Sequence, residues 1–211
     1  MIRLLIATGN AHKVEEIQAV LGSKFQCRTL GDFPGSPAIV EDASTFAGNA
    51  TKKAHDIARW LRQQPRQQLD YVLADDSGLE VDALAGAPGV NSARFAKLDS
   101  RDAGNAADGD NNIKVLRLLK EVPAEKRTAR FRCALVLTAA DAEMRSWLFE
   151  GTCEGQMDFA PRGAGGFGYD PLFIPNGYEV SFAELGESVK NKISHRARAL
   201  EKLQGHFAAL I

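Results

Sequence analysis

The chain has 211 residues, 45% of them hydrophobic and 25% charged, which is enough apolar material for a sizeable core and unlike a disordered composition. Lysine plus arginine (26) nearly balances aspartate plus glutamate (27) for a net charge of -1, so no global field favours a nucleic-acid backbone or an anionic membrane, and any anion must be met locally. The cysteines Cys27, Cys133 and Cys153 form no CxxC pair, which argues against a disulfide framework or a zinc site and suits a reducing cytoplasm. The opening apolar run is too short for a signal-peptide core or a membrane span, so a soluble protein is expected.

The run IRLLIA (Ile2 to Ala7) predicts a strand ended by the turn TGN, and Val14, Ile17 and Leu21 then recur at helical spacing, with Asn10 as N-cap and Gly22 as the stop. A second strand is expected over Gln26 to Leu30, then a Gly/Pro-rich loop, then a helix whose apolar face is Phe46, Ala50, Ala54, Ile57 and Leu61, broken by RQQPRQQ. Tyr71 to Ala74 reads as a buried strand that delivers Asp75 and Asp76 at its carboxyl end, and GLEVDAL alternates after it. GAPGVNSARFA is turn-rich, DSRDAGNAADGDNN is the segment expected to form a mobile loop, and helical periodicity resumes from Ile113 to Leu119. Two long strands, ARFRCALVLTAA and MRSWLFEGTCEGQM, predict a hairpin turning near Asp141. The glycine-rich PRGAGGFGYDPLF follows, and KNKISHRARALEKLQGHF predicts a helix with Ala197, Leu200 and Leu203 on one face. Parallel-type units at the front and a hairpin behind imply a mixed-sheet α/β protein.

Four constellations bear on chemistry. TGNAHK places a tight turn at a helix N-terminus with Lys13 in the first turn, an arrangement suited to phosphate or equally to a routine strand-to-helix connection. Asp75 and Asp76 repel each other unless a cation or hydrogen bonds compensate; since side chains alternate along a strand, only one faces a ligand, and Asp76, next to Ser77, is taken as that one, with Glu41 as a second acid for magnesium. The plain alternative for DDSG is a capping turn. GGFGYDP offers the aromatic faces Phe167 and Tyr169 and the acid Asp170, fit for a flat heterocycle and its sugar, or for a turn whose aromatics belong to the core. KNKISHR supplies Lys190, Ser194, His195 and Arg196, a cluster for phosphate or a base edge, or a solvated basic face. Taken together, these groups specify a nucleotide carrying a metal-bound polyphosphate.

In order and spacing, TGNAHKVEE, TFAGNATKKA, ADDSGLEVDALAGAPGVNSARFA, RGAGGFGYDPLF and KNKISHRARALEKLQGHF resemble the Ham1/RdgB-like inosine triphosphate pyrophosphatases over nearly the whole chain. The resemblance implies a single domain over residues 1–211 in an elongated, two-lobed mixed-sheet α/β fold flanked by helices, with a central cleft. It also implies a magnesium-dependent homodimer in the cytoplasm that hydrolyses inosine, deoxyinosine and xanthosine triphosphates to monophosphate and pyrophosphate. Carried over by position, the phosphate loop falls on Thr8, Gly9, Asn10, Ala11, His12 and Lys13, the metal acid on Glu41, and a helix lysine on Lys53. The metal-linked proton acceptor falls on Asp76 beside the substrate contact Ser77; base and sugar contacts fall on Phe167, Gly168, Tyr169 and Asp170, then Lys190, His195 and Arg196, with Arg94 a weaker match. Ala43 and Lys97 stand where the family commonly has glycine. Arg196, with His195, is expected to distinguish inosine from adenosine, because deamination turns the 6-amino donor into a 6-oxo acceptor and arginine only donates. A Maf-like pyrophosphatase for modified pyrimidine nucleotides is the rival enzyme, against which SHR argues. A nucleotide-sensing module without turnover is the rival of another class, against which the paired carboxylates argue.

Overall fold

The computed structural model describes residues 1–64, 69–100 and 104–209. Ile2–Ile6 forms β1. The polar turn after it frees the chain to start α1 (Ala11–Leu21), whose N-cap Asn10 accepts from the Lys13 N–H at 3.2 Å and whose face buries Ile17 and Leu21, as the spacing predicts. β2 (Phe25–Thr29) pairs parallel with one edge of β1, and β3 (Tyr71–Val81) pairs parallel with the other. Between them α2 (Phe46–Leu61), capped by Thr45, buries the expected face. The helix ends at Leu61, immediately before the segment expected to break it, of which 65–68 lie outside the described residues.

Three expectations are corrected. β3 does not stop at Ala74: it is one strand of 11 residues through Asp75, Asp76, Ser77 and Gly78, so the two acids lie mid-strand. The reason is that β1 pairs with β3 only as far as Leu73, while the strand continues beside β4 (Thr128–Ala139). Secondly, α3 (Asp108–Leu118) begins within the segment expected to be a loop, with Asp108 and Asp110 in its first turn, where the helix dipole favours acids; 101–103 of that segment lie outside the described residues. Thirdly, the C-terminal helix is two helices, because Ser194 adopts an extended conformation (φ -68, ψ 162) between α5 (Glu187–Ile193) and α6 (His195–Ala208), after the short α4 (Phe182–Leu185). The turn-rich stretch forms a 3-10 segment, Gly89–Asp99. The hairpin is as expected: β4 and β5 (Ser146–Met157) are joined around Asp141, whose carboxylate accepts from the Glu143 and Met144 N–H groups.

Among the described residues the sheet has six strands in the order β2-β1-β3-β4-β5-β6, β6 (Phe173–Pro175) pairing antiparallel with β5, so it is mixed and open and flanked by helices. The chain divides into two compact units. The first comprises Met1–Asp76, Cys133–Gly151 and Arg196–Ile211; the second comprises Ser77–Arg132 and Thr152–His195. In the first, Leu4, Ile6, Leu73 and Leu135 pack with Ile17 of α1 and Leu200 and Leu203 of α6. In the second, Leu79, Phe131 and Phe173 pack with Val115 and Leu119. No helix among the described residues is long and apolar enough to cross a membrane.

Candidate active site

Pairing between β1 and β3 closes with the Ala7 N–H donating to the Leu73 carbonyl, and the two acids follow immediately beyond it. Strand alternation then sends them to opposite faces. On one face Asp75, with no solvent exposure, meets Lys13 of α1 at 2.5 Å and the Arg196 guanidinium of α6 at 2.9 Å, with the Cys133 thiol donating at 3.3 Å. Burial works against its charge, yet Arg196 and Lys13 outweigh burial and hold its carboxyl well below the usual range. Arg196 in turn is 1% exposed and also pairs with Glu16. Burial alone would lower its pKa, but Asp75 and Glu16 raise it.

On the other face Asp76 accepts from the Asn49 amide at 3.0 Å and lies 3.4 Å from the Lys53 ammonium, both groups coming from α2 one turn apart. Lys53 is also 2.8 Å from Glu41 and 2.8 Å from the Asp75 carbonyl, so its ammonium sits among hard oxygen donors. Burial would depress the Lys53 pKa, but the carboxylates of Asp76 and Glu41 raise it. Asp76 moves up instead: burial raises its carboxyl further than Lys53 at 3.4 Å lowers it, and Glu41 adds like charge. Among the described residues no group of three or more His, Cys, Asp or Glu could hold a metal by itself. Two carboxylates with a phosphate-bearing ligand still suit magnesium. Of the expected phosphate loop, Thr8 accepts from the Asn10 N–H at 3.2 Å, Gly9, Asn10, Ala11 and His12 are exposed, and His12 lies 3.5 Å from Glu15.

In the second unit the Asp170 carboxylate, 1% exposed, accepts from the Phe167 N–H at 2.9 Å and pairs with Lys190, whose ammonium stands 4.4 Å over the Phe167 ring. Tyr169 differs from the expected second stacking face. Its ring is buried in the core and its phenol donates to the Ser92 carbonyl at 2.8 Å, whereas the Phe167 ring is half-buried. Burial and the Asp108 carboxylate push the Tyr169 phenol up. His195 is buried and stacked on Phe131 at 4.8 Å, Ser77 is half-buried, and Arg94 donates to Asn91 at 3.1 Å.

Asn49 is the residue that sequence reading passes over. Its amide donates to Asp76 and accepts from the Ala43 N–H at 2.9 Å, tying the catalytic candidate to the loop that carries Glu41. The signal was a polar residue on the apolar face of α2, between Phe46 and Lys53, with alanine beside it. Glu16 had no comparable signal, because its partner is 180 residues away.

The Ham1 family model matches residues 4–206. The dITP/XTP pyrophosphatase of Opitutus terrae is 45% identical, with 96% of this chain and 97% of that one covered. The dITP/XTP pyrophosphatase of Geobacillus kaustophilus is 45% identical over 100% of this chain and 97% of its own. Among solved structures, the Staphylococcus aureus Ham1 protein superposes with a TM-score of 0.82 at 31% identity, covering 99% of this chain and 100% of its own. With a family model spanning almost every residue and relatives of this identity along the full length, the chain belongs to the Ham1 family.

Proposed function

We propose that the protein is a nucleoside triphosphate pyrophosphatase that hydrolyses deaminated purine nucleotides (inosine, deoxyinosine and xanthosine triphosphates) to the monophosphate and pyrophosphate. The observation that carries this reading is Asp76: a buried carboxylate with a raised pKa, held by Asn49 and flanked by Lys53 and Glu41. A module that only bound polyphosphate gains little from a buried carboxylate of raised pKa, whereas a water-activating base needs one. The named activity of near-full-length relatives supports the same reaction.

Water attacks the α-phosphorus, its oxygen forms the new P–O bond, and the bond from that phosphorus to the α–β bridging oxygen breaks, so that pyrophosphate departs with the electron pair. Asp76 orients this water and accepts its proton, and the upward displacement of its carboxyl brings its basicity closer to neutral pH. Lys53 and Lys13 are the ammonium groups that offset the charge of the triphosphate. Asp75 touches no phosphate in this scheme; it aims Lys13 from below at 2.5 Å. Glu41 and Asp76 are the residues that would hold magnesium, and the oxygens now gathered around the Lys53 ammonium are donors of the right hardness. When bound, magnesium supplies charge neutralisation and a template for phosphate oxygens. Phe167 provides the stacking face, and Asp170 with Lys190 the polar contacts to base and sugar. Thr8 to His12, Ser77, Gly168, Tyr169, His195 and Arg196 remain substrate contacts in this proposal, Tyr169 through its backbone. A homodimer working in the cytoplasm belongs to the same reading.

The test is pyrophosphate release from a panel of nucleoside triphosphates with and without magnesium. Turnover of inosine, deoxyinosine and xanthosine triphosphates, at least tenfold over adenosine and guanosine triphosphates and lost on chelation, is the expected result. A flat profile across bases overturns the substrate assignment, and unchanged rates on chelation overturn the metal.

A further inference from the structure

The segment DSRDAGNAADGDNN has no part in the chemistry above, yet its end forms the first turn of α3 and reaches the nucleobase loop. Asp108 accepts from the Gly168 N–H at 2.6 Å, and Asn112 donates from its amide to the Gly168 carbonyl at 3.0 Å. Asp108 and Asn112 are four residues apart, so they lie on one face of the helix and grip the peptide groups on either side of Gly168. Gly168 has φ +63, a conformation that other residues adopt at a cost, and a turn of this kind holds one geometry only where neighbours over-determine it. The grip falls between Phe167, the stacking face, and Asp170, the carboxylate that collects Lys190.

Two further observations separate a purposeful contact from incidental packing. The Asn112 side chain is buried, and its Oδ1 has no hydrogen-bond partner among the described residues. A buried amide with an unsatisfied oxygen is a cost that an apolar residue would avoid, so it is the donor to Gly168 that the position requires. In addition, α3 is itself tied to a fixed frame: Asn111 accepts from the Ala96 N–H at 2.8 Å and donates to the Ala93 carbonyl at 3.3 Å, while the Tyr169 phenol reaches Ser92 in the same 3-10 segment. The loop, the helix and that segment close into a ring of hydrogen bonds, and the loop is held from both sides.

We infer that Asp108 and Asn112 are positioning residues for nucleobase recognition, preorganising the turn at Gly168 so that Phe167 and Asp170 meet the base without an ordering cost at binding. The inference rests on the proposed function for its kinetic consequence, but the clamp itself can be read without substrate. Asp108 is exposed, so Asp108→Ala leaves the fold intact, as its melting curve will verify. With inosine triphosphate, this variant is expected to raise KM about tenfold, the scale of one lost charge-assisted hydrogen bond, with kcat within about threefold. Asp108→Asn, which keeps an oxygen acceptor, is expected to restore KM to within about threefold. Asp110→Ala removes the other first-turn acid without touching Gly168 and is expected to behave as wild type. The inhibition constant of inorganic tripolyphosphate, which has no base, is expected to stay within about twofold in all three, and amide exchange over residues 163–172 is expected to accelerate in Asp108→Ala alone. An unchanged KM overturns the inference, as does a KM rise matched by tripolyphosphate or by Asp110→Ala. Should the wild-type protein release pyrophosphate from no nucleoside triphosphate, the proposed function fails, and the exchange measurement still decides the clamp: unaltered exchange in Asp108→Ala overturns it.

Discussion

Replacing Arg196 with methionine removes the guanidinium from a carboxylate that has no access to solvent. Asp75 is fully buried and keeps Lys13 at 2.5 Å and the Cys133 thiol at 3.3 Å, while Glu16 loses its ion pair with Arg196. Breaking a buried ion pair from one side costs about 3–5 kcal/mol, and because Lys13 remains, about 3 kcal/mol is expected. For a chain of this length each kcal/mol lowers the melting temperature by roughly 2–4 °C, so the variant should melt about 6–12 °C below wild type. Thermal unfolding by circular dichroism measures this, with the urea midpoint at constant m as a second probe. Combining Arg196→Met with Asp75→Asn should cost less than the sum of the two, because both remove one interaction. A fall of less than about 2 °C, or strict additivity, would refute the reasoning. The same variant tests the base-edge role expected from the sequence. If the ratio of kcat/KM for inosine over adenosine triphosphate drops tenfold or more, about 1.4 kcal/mol, Arg196 carries discrimination. If stability falls and the ratio holds, the guanidinium serves the buried network alone.

Asp76→Asn keeps shape but loses charge and basicity, so turnover should fall at least ~100-fold. Because burial raises the Asp76 carboxyl, its ionised form costs stability at neutral pH, and the variant should melt no lower than wild type; wild-type turnover in the folded variant would sink the assignment. Lys13→Ala should raise KM more than it lowers kcat, since one ammonium acts in ground and transition states alike; a steady KM with a collapsed kcat would move Lys13 into the chemistry. The depressed carboxyl of Asp75 contributes stability that is complete above the unfolded pKa near ~3.9 and is lost as pH falls through the lower folded value. Urea titrations between pH 7 and pH 3 should therefore show a steeper acid loss for wild type than for Asp75→Asn, and equal slopes would contradict this.

Local periodicity was legible from the residues alone. Asn10 capping α1, the apolar face of α2 and the Asp141 turn all depend on neighbours within a few positions, where propensity and spacing act directly. The alternation that divides Asp75 from Asp76 was legible for the same reason: a strand has period 2 whatever surrounds it. Full-length motif order was enough to point to the family. What each acid meets on its face was not legible. Asp75 finds Arg196 across 121 residues and Asp76 finds Asn49 across 27, and these partnerships exist only because helices pack on both faces of the sheet. Tyr169 and Phe167 are chemically alike and two residues apart, yet one ring is core and the other is half-buried under the Lys190 ammonium; burial is a property of the packed chain and not of residue type. The break at Ser194, the early start of α3 and the grip of Asp108 on Gly168, 60 residues away, follow the same rule. Sequence by itself determined the periodic elements and the chemical types available, while the tertiary structure decided which charges share a buried space, because desolvation and pairing energies depend on distances that only packing sets.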